Sequence, residues 1–376
     1  MHALRYSLLT LSSSVASFHR MSAMAMSSST SSSCSAPHVP LVPALVKADI
    51  ETLSREGITI VPIDPLGATV SGMDVRNPPS EAALRALEHS MALRGFIAIT
   101  GCGVLSPDEQ IQASCFFGGR EMHSTHGVHP ATPDMNEHIF RLSNDPRHGT
   151  LGVGPQWHND GSFTSGTFSH VGYHIVQAAS NGGGTFFSHQ GAAFDLLSPS
   201  EQETWSRYVS VNSNSGVLHP LVQAHPVTGR KSVWLHLGMT GAVIDCVHTP
   251  GEEPPLSLRL LGNDELKALM IRYNDLLNSG VSNNFTIEYT YSPGDLVVID
   301  NLAVGHKAAP SAHLPVATQG LRILHRTTVK ATRDLSPPHG LPQFVDIHGP
   351  NQLNDDGYWG GGGIGFRWDD DIHMQN

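Results

Sequence analysis

Apolar and polar positions trade places from Gly57 to Ile63 in "GITIVPI", which predicts a short strand. In "PSEAALRALEHSMALRG" alanines and leucines recur at helical spacing and stop at Gly95, so a helix is expected to end there. The apolar "FIAIT" follows as a strand, and "LSPDEQIQASCFFGG" opens a second helix with Ser106 and Glu109 as a capping box and Pro107 at its first position. Beyond these the texture is strand-like. "TFSHVGYHIVQA", "TFFSHQ", "SVWLHL" and "LRILHRTTV" are rich in β-branched and aromatic residues, and the turn signals "NGGGT" and "HPVTGR" separate strands. In "FTIEYTYSPGDLVVID" strict alternation gives way at Pro293-Gly294 to the continuous apolar run "LVVI", the pattern of a strand buried on both faces. One helix is expected over "AAFDLLSPSEQETWSRY" and another over "NDELKALMIRYNDLLNSG". Many short strands with peripheral helices predict a mainly β fold with a double-stranded β-helix, or jelly-roll, core whose mouth suits a small ligand.

The ends of the chain differ from this middle. From Met1 to Lys47 there is no Asp or Glu, Arg5 and Arg20 carry the only strong positive charge before Lys47, and "MSSSTSSSCSAP" is serine-rich. Residues 1–44 therefore read as a disordered segment of transit-peptide character with a mitochondrial or plastid address. A secretory signal is the alternative, and an untargeted tail on a cytoplasmic protein is the bland one. Residues 45–340 form the predicted globular domain. The extension 341–376 ends in a glycine run with Tyr358, Trp359, Phe366 and Trp368, rings expected to cover the core, to contact a second subunit in a homo-oligomer, or to lie in an unstructured end.

Composition narrows the function. A net charge of −11 gives no electrostatic footprint for nucleic acid or an anionic membrane, and no apolar run approaches the roughly 20 residues that span a bilayer. Cys34, Cys102, Cys115 and Cys246 show no CxxC pair, which disfavours a thiolate zinc site or a disulfide framework.

Candidate chemistry centres on "WHNDGSF". If this segment is extended, His158 and Asp160 point the same way, as two ligands to one metal would. With 23 histidines in the chain, a His-x-Asp triplet arises about once by chance, so a hydrogen-bonded turn is the competing reading. Downstream, "VVIDNLAVGHKAAP" delivers Asp300, Asn301 and His306 from a buried strand. Two histidines and a carboxylate on one face of iron leave three adjacent positions open, as oxygen chemistry needs. In "GLRILHRTTV", Arg322 and Arg326 would share one face of a strand about 13 Å apart and could hold two different anions. A structural salt bridge is the alternative for each.

The order "WHNDGSF", "NGGGTFFSH", "LHPLVQAHPVTGRKSVWLHLGMT", "YSPGDLVVIDNLAVGH", "RILHRTTV" resembles the taurine dioxygenase and dichlorophenoxyacetate dioxygenase family of Fe(II)- and 2-oxoglutarate-dependent oxygenases, over roughly Asp49 to Asp334. The resemblance implies that His158, Asp160 and His306 ligate Fe(II), and that Arg322 and Thr185 bind the cosubstrate 2-oxoglutarate. O2 is the second cosubstrate. Arg326 would face the acidic head of a small anionic substrate, and His129 of "VHPATP" would help bind it, with His123 and His126 as neighbouring alternatives. The implied reaction hydroxylates that substrate and releases succinate and CO2; desaturation and ring formation begin in the same way, and the carboxylate Asp160 speaks against halogenation. The pocket tyrosine and asparagine of taurine-specific members are replaced near Thr132 and Gly154, which points away from taurine, and the loop "KAAPSAHLPVATQG" is longer than usual. From other classes stand a jelly-roll sensor that binds metal or 2-oxoglutarate without turnover, and a zinc hydrolase on the same ligand set.

Overall fold

The computed structural model describes residues 41–123, 127–248, 256–332, 341 and 343–345. The serine-rich segment up to residue 40, His126 and the aromatic stretch from Tyr358 lie outside the described residues.

The first part of the described chain is a flank of helices and strands. Helix α1 (Lys47–Ser54) leads to β1 (Thr59–Pro62) and β2 (Ala68–Ser71), which pair antiparallel. Helix α2 (Glu81–Arg94) starts where the Ser80 hydroxyl accepts a hydrogen bond from Ala83 N and stops at Gly95, whose φ of 85° lies in the left-handed region. A Cβ at Gly95 would overlap the Val304 side chain, so the close approach as well as the φ requires glycine. Strand β3 (Phe96–Ile99), helix α3 (Pro107–Ser114) with its Ser106/Glu109 capping box, and β4 (Phe140–Ser143) follow.

Strand β5 (Phe168–Gln177) and β6 (Thr185–His189) then lead into two helices, α4 (Gln190–Leu196) and α5 (Pro199–Trp205), where the sequence predicts one. The break is chemical. Proline has no N–H to continue α4 and is well placed at a first turn, and Ser198 with Glu201 forms a fresh capping box around it. Strands β7 (Tyr208–Asn212), β8 (Leu218–Pro220), β9 (Val222–Ala224), β10 (Lys231–Val233), β11 (Thr240–His248) and β12 (Leu256–Leu260) come next. The predicted strand "SVWLHL" is thus regular only to Val233. Beyond it the chain leaves the hairpin to lie beside Trp157, where Leu237 N donates to Trp157 O at 3.1 Å, and then turns back with Thr240 N on His236 O at 2.9 Å.

Helix α6 (Asn263–Ser279), β13 (Thr286–Tyr289), β14 (Leu296–Asp300), β15 (Val304–Ala308), the short α7 (Val316–Gln319) and β16 (Ile323–Lys330) complete the order. The sheets run β1-β2-β3-β14-β5-β16-β4, β13-β6-β15, β12-β11-β7-β8 and β10-β9. The architecture is mainly β with helices around it. Alternation along β14 explains its unbroken apolar run. Val297 and Ile299 pack with Phe187 of β6 in one cluster, while Leu296 and Val298 pack with Leu87 and Met91 of α2 in another. The seven-stranded and three-stranded sheets meet through Phe96 and Phe187, whose ring centroids are 4.7 Å apart. No helix among the described residues is long and apolar enough to cross a membrane.

Candidate metal and anion site

The segment "WHNDGSF" is extended through His158 and turns after it. His158 forms an isolated antiparallel bridge with His306 of β15, so both imidazoles leave on one side, their centroids 4.1 Å apart. Asp160, two residues on, returns to that side. One ligand atom each from His158, Asp160 and His306 lies within 4.8 Å of the others, and all three residues are buried.

The side chain between them points away and holds the geometry. Asn159 Nδ2 donates to Asn301 O at 2.6 Å and to Val304 O at 3.0 Å, and its Oδ1 accepts from Gln190 Nε2 at 2.6 Å. Asn301 answers from the turn after β14. Its Oδ1 accepts from Asp160 N, and its Nδ2 donates to Asp160 O, each at 2.9 Å. Asp300 caps the same turn by accepting from Leu302 N and Ala303 N, and its other oxygen lies 2.9 Å from His225 Nε2. Because His225 Nδ1 accepts from Val227 N, the proton sits on Nε2 and the ring donates to Asp300. The two loops bearing His158, Asp160 and His306 are therefore stitched by buried amides.

The electrostatics suit a divalent cation. His158 Nδ1 lies 2.8 Å from Gln156 O and can bond it only by donating, which leaves the Nε2 lone pair 3.9 Å from Asp160 Oδ1. His306 is buried with neither ring nitrogen hydrogen-bonded. Burial lowers the pKa of both imidazoles, of His306 well below the usual range with His158 adding to the effect, so each is the neutral form that donates a lone pair. A metal ion supplies the partner that a buried imidazole otherwise lacks.

A cavity opens beside this cluster, lined among others by Tyr173, Thr185, Arg322 and Arg326. The glycines of "NGGGT" let the chain pass close to Arg322: Gly183 has φ +79°, and a Cβ there would stand 3.3 Å from Arg322 Cδ. Thr185 is then the first residue of β6, opposite Ala308. The Arg322 guanidinium has no ion pair and no side-chain hydrogen bond among the described residues, and burial lowers its pKa. A half-buried guanidinium that lines a cavity without a counter-ion is an anion receptor. Arg322 precedes β16, and a register shift falls between Ile323 and Leu324, so the two arginines reach one cavity from a bulged strand rather than the plain one expected. Arg326 is buried against Asp160, its Nη1 lying 2.9 and 3.1 Å from the two carboxylate oxygens, and stacks on Phe140 with 4.8 Å to the ring centroid. His158, Asp160, His306, Thr185, Arg322 and Arg326 are thus brought together.

His129 is not among the residues lining this cavity. Its Nδ1 accepts from Ala131 N at 3.1 Å, and its Nε2 lies 3.0 Å from Pro146 O, in the loop beyond β4, so both ring nitrogens are engaged by backbone groups. His123 stacks edge-on against Phe168 at 4.5 Å. Gly154 lines the cavity, with φ +70° and room for no Cβ beside His158, whereas Thr132 is buried away from that lining. Residues that the sequence did not single out are Tyr173, which lines the cavity, and Asn159, whose amide holds the Asn301 turn. Tyr173 was open to detection because it shares a face of β5 with Val171 and Ile175; the amide pairing of Asn159 with the Asn301 loop spans over 140 positions and leaves no local signal.

Residues 59–328 match the model of the family described as taurine catabolism dioxygenase TauD, TfdA family. The chain is 27% identical over 291 residues to pentalenolactone F synthase of Streptomyces arenae, covering 66% of this chain and 88% of that protein. It is 23% identical over 286 residues to an alpha-ketoglutarate-dependent sulfonate dioxygenase of Saccharomyces cerevisiae, covering 69% of this chain and 64% of the yeast protein. A solved structure described as a taurine dioxygenase from Burkholderia xenovorans superposes with a TM-score of 0.61 at 18% identity, over 77% of this chain and 95% of the other.

Proposed function

Since the chain belongs to the taurine catabolism dioxygenase (TauD, TfdA) family and is an Fe(II)- and 2-oxoglutarate-dependent dioxygenase, we propose that it hydroxylates a small organic anion, a sulfonate or a carboxylate, on a double-stranded β-helix core. His158, Asp160 and His306 hold the iron. Arg322 and Thr185 take the distal carboxylate of 2-oxoglutarate, and Arg326 faces the acidic head of the substrate. When bound, iron with 2-oxoglutarate and O2 would supply the oxidation, with succinate and CO2 as products; the protein's part is to orient the partners and exclude water.

The observation that supports this reading best is the half-buried Arg322, without an ion pair among the described residues, beside three clustered side chains able to hold a metal. A scaffold arginine in such surroundings would be expected to carry a protein carboxylate. The sulfonate dioxygenase similarity favours an anionic substrate.

The test is succinate release by the iron-loaded full chain with 2-oxoglutarate and a panel of small sulfonates and carboxylates under air. Succinate that rises with a panel member, and vanishes in His158→Ala and Asp160→Ala, is the expected result. Iron and 2-oxoglutarate bound with no turnover across the panel would replace the oxygenase by a sensor.

A further inference from the structure

A tyrosine stands in the wall of the cavity that joins the metal-binding side chains to Arg322. Tyr173 of β5 lines that cavity together with His158, His306, Thr185, Arg322 and Arg326. The strand register fixes its place on the wall. Tyr173 is paired with Arg326 of β16, so the two side chains leave the same face of the sheet as neighbours. From there Arg326 Nη1 reaches Asp160 Oδ1 at 2.9 Å, and the Tyr173 ring meets the His306 ring edge-on with 6.2 Å between centroids. Arg322 marks the far end, since it also lines a neighbouring recess with Gly183 and Tyr291 that none of His158, Asp160 and His306 lines.

Packing accounts for the ring of Tyr173 but not for its oxygen. The ring is buried in the main core with Val171 and Ile175, a place that phenylalanine would fill as well. The hydroxyl makes no hydrogen bond among the described residues, yet it is not one of the fully enclosed polar atoms, so it opens into the cavity. A hydroxyl in a buried wall is costly until something accepts its hydrogen bond. Burial keeps the phenol protonated, and the charges of Asp160, Arg326 and Arg322 all reach it. A neutral donor on the path between a metal cluster and a guanidinium suits an anion that spans the two.

We propose that the Tyr173 hydroxyl donates a hydrogen bond to a carboxylate oxygen of 2-oxoglutarate. The inference rests on the dioxygenase reading and adds a contact that Arg322 and Thr185 do not supply. A dicarboxylate stretched from the metal-binding side chains to Arg322 passes the phenol on its way, and the bond helps to fix its orientation.

The experiment titrates 2-oxoglutarate into the full chain loaded with Mn(II), followed by calorimetry. Tyr173→Phe removes one oxygen and keeps the ring, so the fold is preserved. It should weaken 2-oxoglutarate by about tenfold, as loss of a hydrogen bond to a charged group does, with Mn(II) affinity held within about twofold. Tyr173→Leu, which gives up the ring as well, should weaken it at least as far. A loss of less than about threefold in Tyr173→Phe overturns the proposal, including the case in which KM for the prime substrate rises instead. A loss shared with Mn(II) overturns it too, because the tyrosine would then act through the metal cluster. The dioxygenase reading fails separately, by absence of 2-oxoglutarate binding and of succinate in the unsubstituted chain.

Discussion

His158 and His306, 148 positions apart in the chain, exchange both backbone hydrogen bonds of one antiparallel pair, with N–O distances of 3.0 and 2.9 Å. Backbone pairing therefore fixes the side from which both imidazoles leave, before any ion binds. Such preorganisation favours a site that keeps its shape through a reaction cycle.

The two arginines should separate on titration. Arg322→Gln removes the cavity guanidinium that has no ion pair among the described residues, a loss on the order of 2 kcal/mol or more, roughly 30-fold in the Kd of 2-oxoglutarate. Arg326→Gln should raise KM for the prime substrate and leave that Kd within about threefold. Calorimetry with 2-oxoglutarate on both variants decides it; equal weakening by the two would end the division of labour.

Asn301 is not among the residues lining the cavity, yet its amide bonds both backbone groups of Asp160. Asn301→Ala is expected to cost about 1–3 kcal/mol of stability from unpaired buried groups, and to lower metal affinity roughly 10–100-fold. Denaturant midpoints and Mn(II) titration together measure this. A stability loss with Mn(II) affinity intact would show that the clamp does not tune the metal.

The pH dependence of folding should carry the mark of buried neutral histidines. His189 caps α4, its Nδ1 accepting from Gly191 N and Ala192 N, and burial, with the Arg230 charge added, pushes its pKa down from 6.5 to about 3. Between those values the unfolded chain holds a proton that the folded chain does not, so stability falls as pH falls through that window. His189→Asn keeps a capping oxygen and removes the titration. Its denaturation midpoint should therefore drop less between pH 7 and pH 5 than that of the unsubstituted chain, and an identical drop would refute the assignment.

Local signals carried much of this fold. The cap at Ser106, the stop at Gly95 and the apolar β14 were legible because each depends on neighbours in sequence, and the alternation in "WHNDGSF" placed His158 and Asp160 on one side. What escaped depends on distant partners. Helices α4 and α5 read as one because apolar spacing runs across Leu197, although Ser198-Pro199 carries a start signal. His236 sits in a segment that looks like a strand, and only the pairing of that segment with Trp157 brings its ring beside that of His158. The resemblance drew attention to His129, where the structure puts a ring tied to Ala131 and Pro146.

The close contact at Gly95 has a consequence for how variation in this protein should be interpreted. Gly95 O receives Asp300 N at 2.9 Å, and Val304 fills the space where a side chain would begin, so any other residue there would push on the turn that leads to His306. In a collection of loss-of-function alleles, position 95 should look as intolerant as the metal pocket while having no part in the reaction. Tolerance alone would then mark the end of a helix as an active site, and only the pairing of metal loss with structural loss would tell the two kinds of position apart.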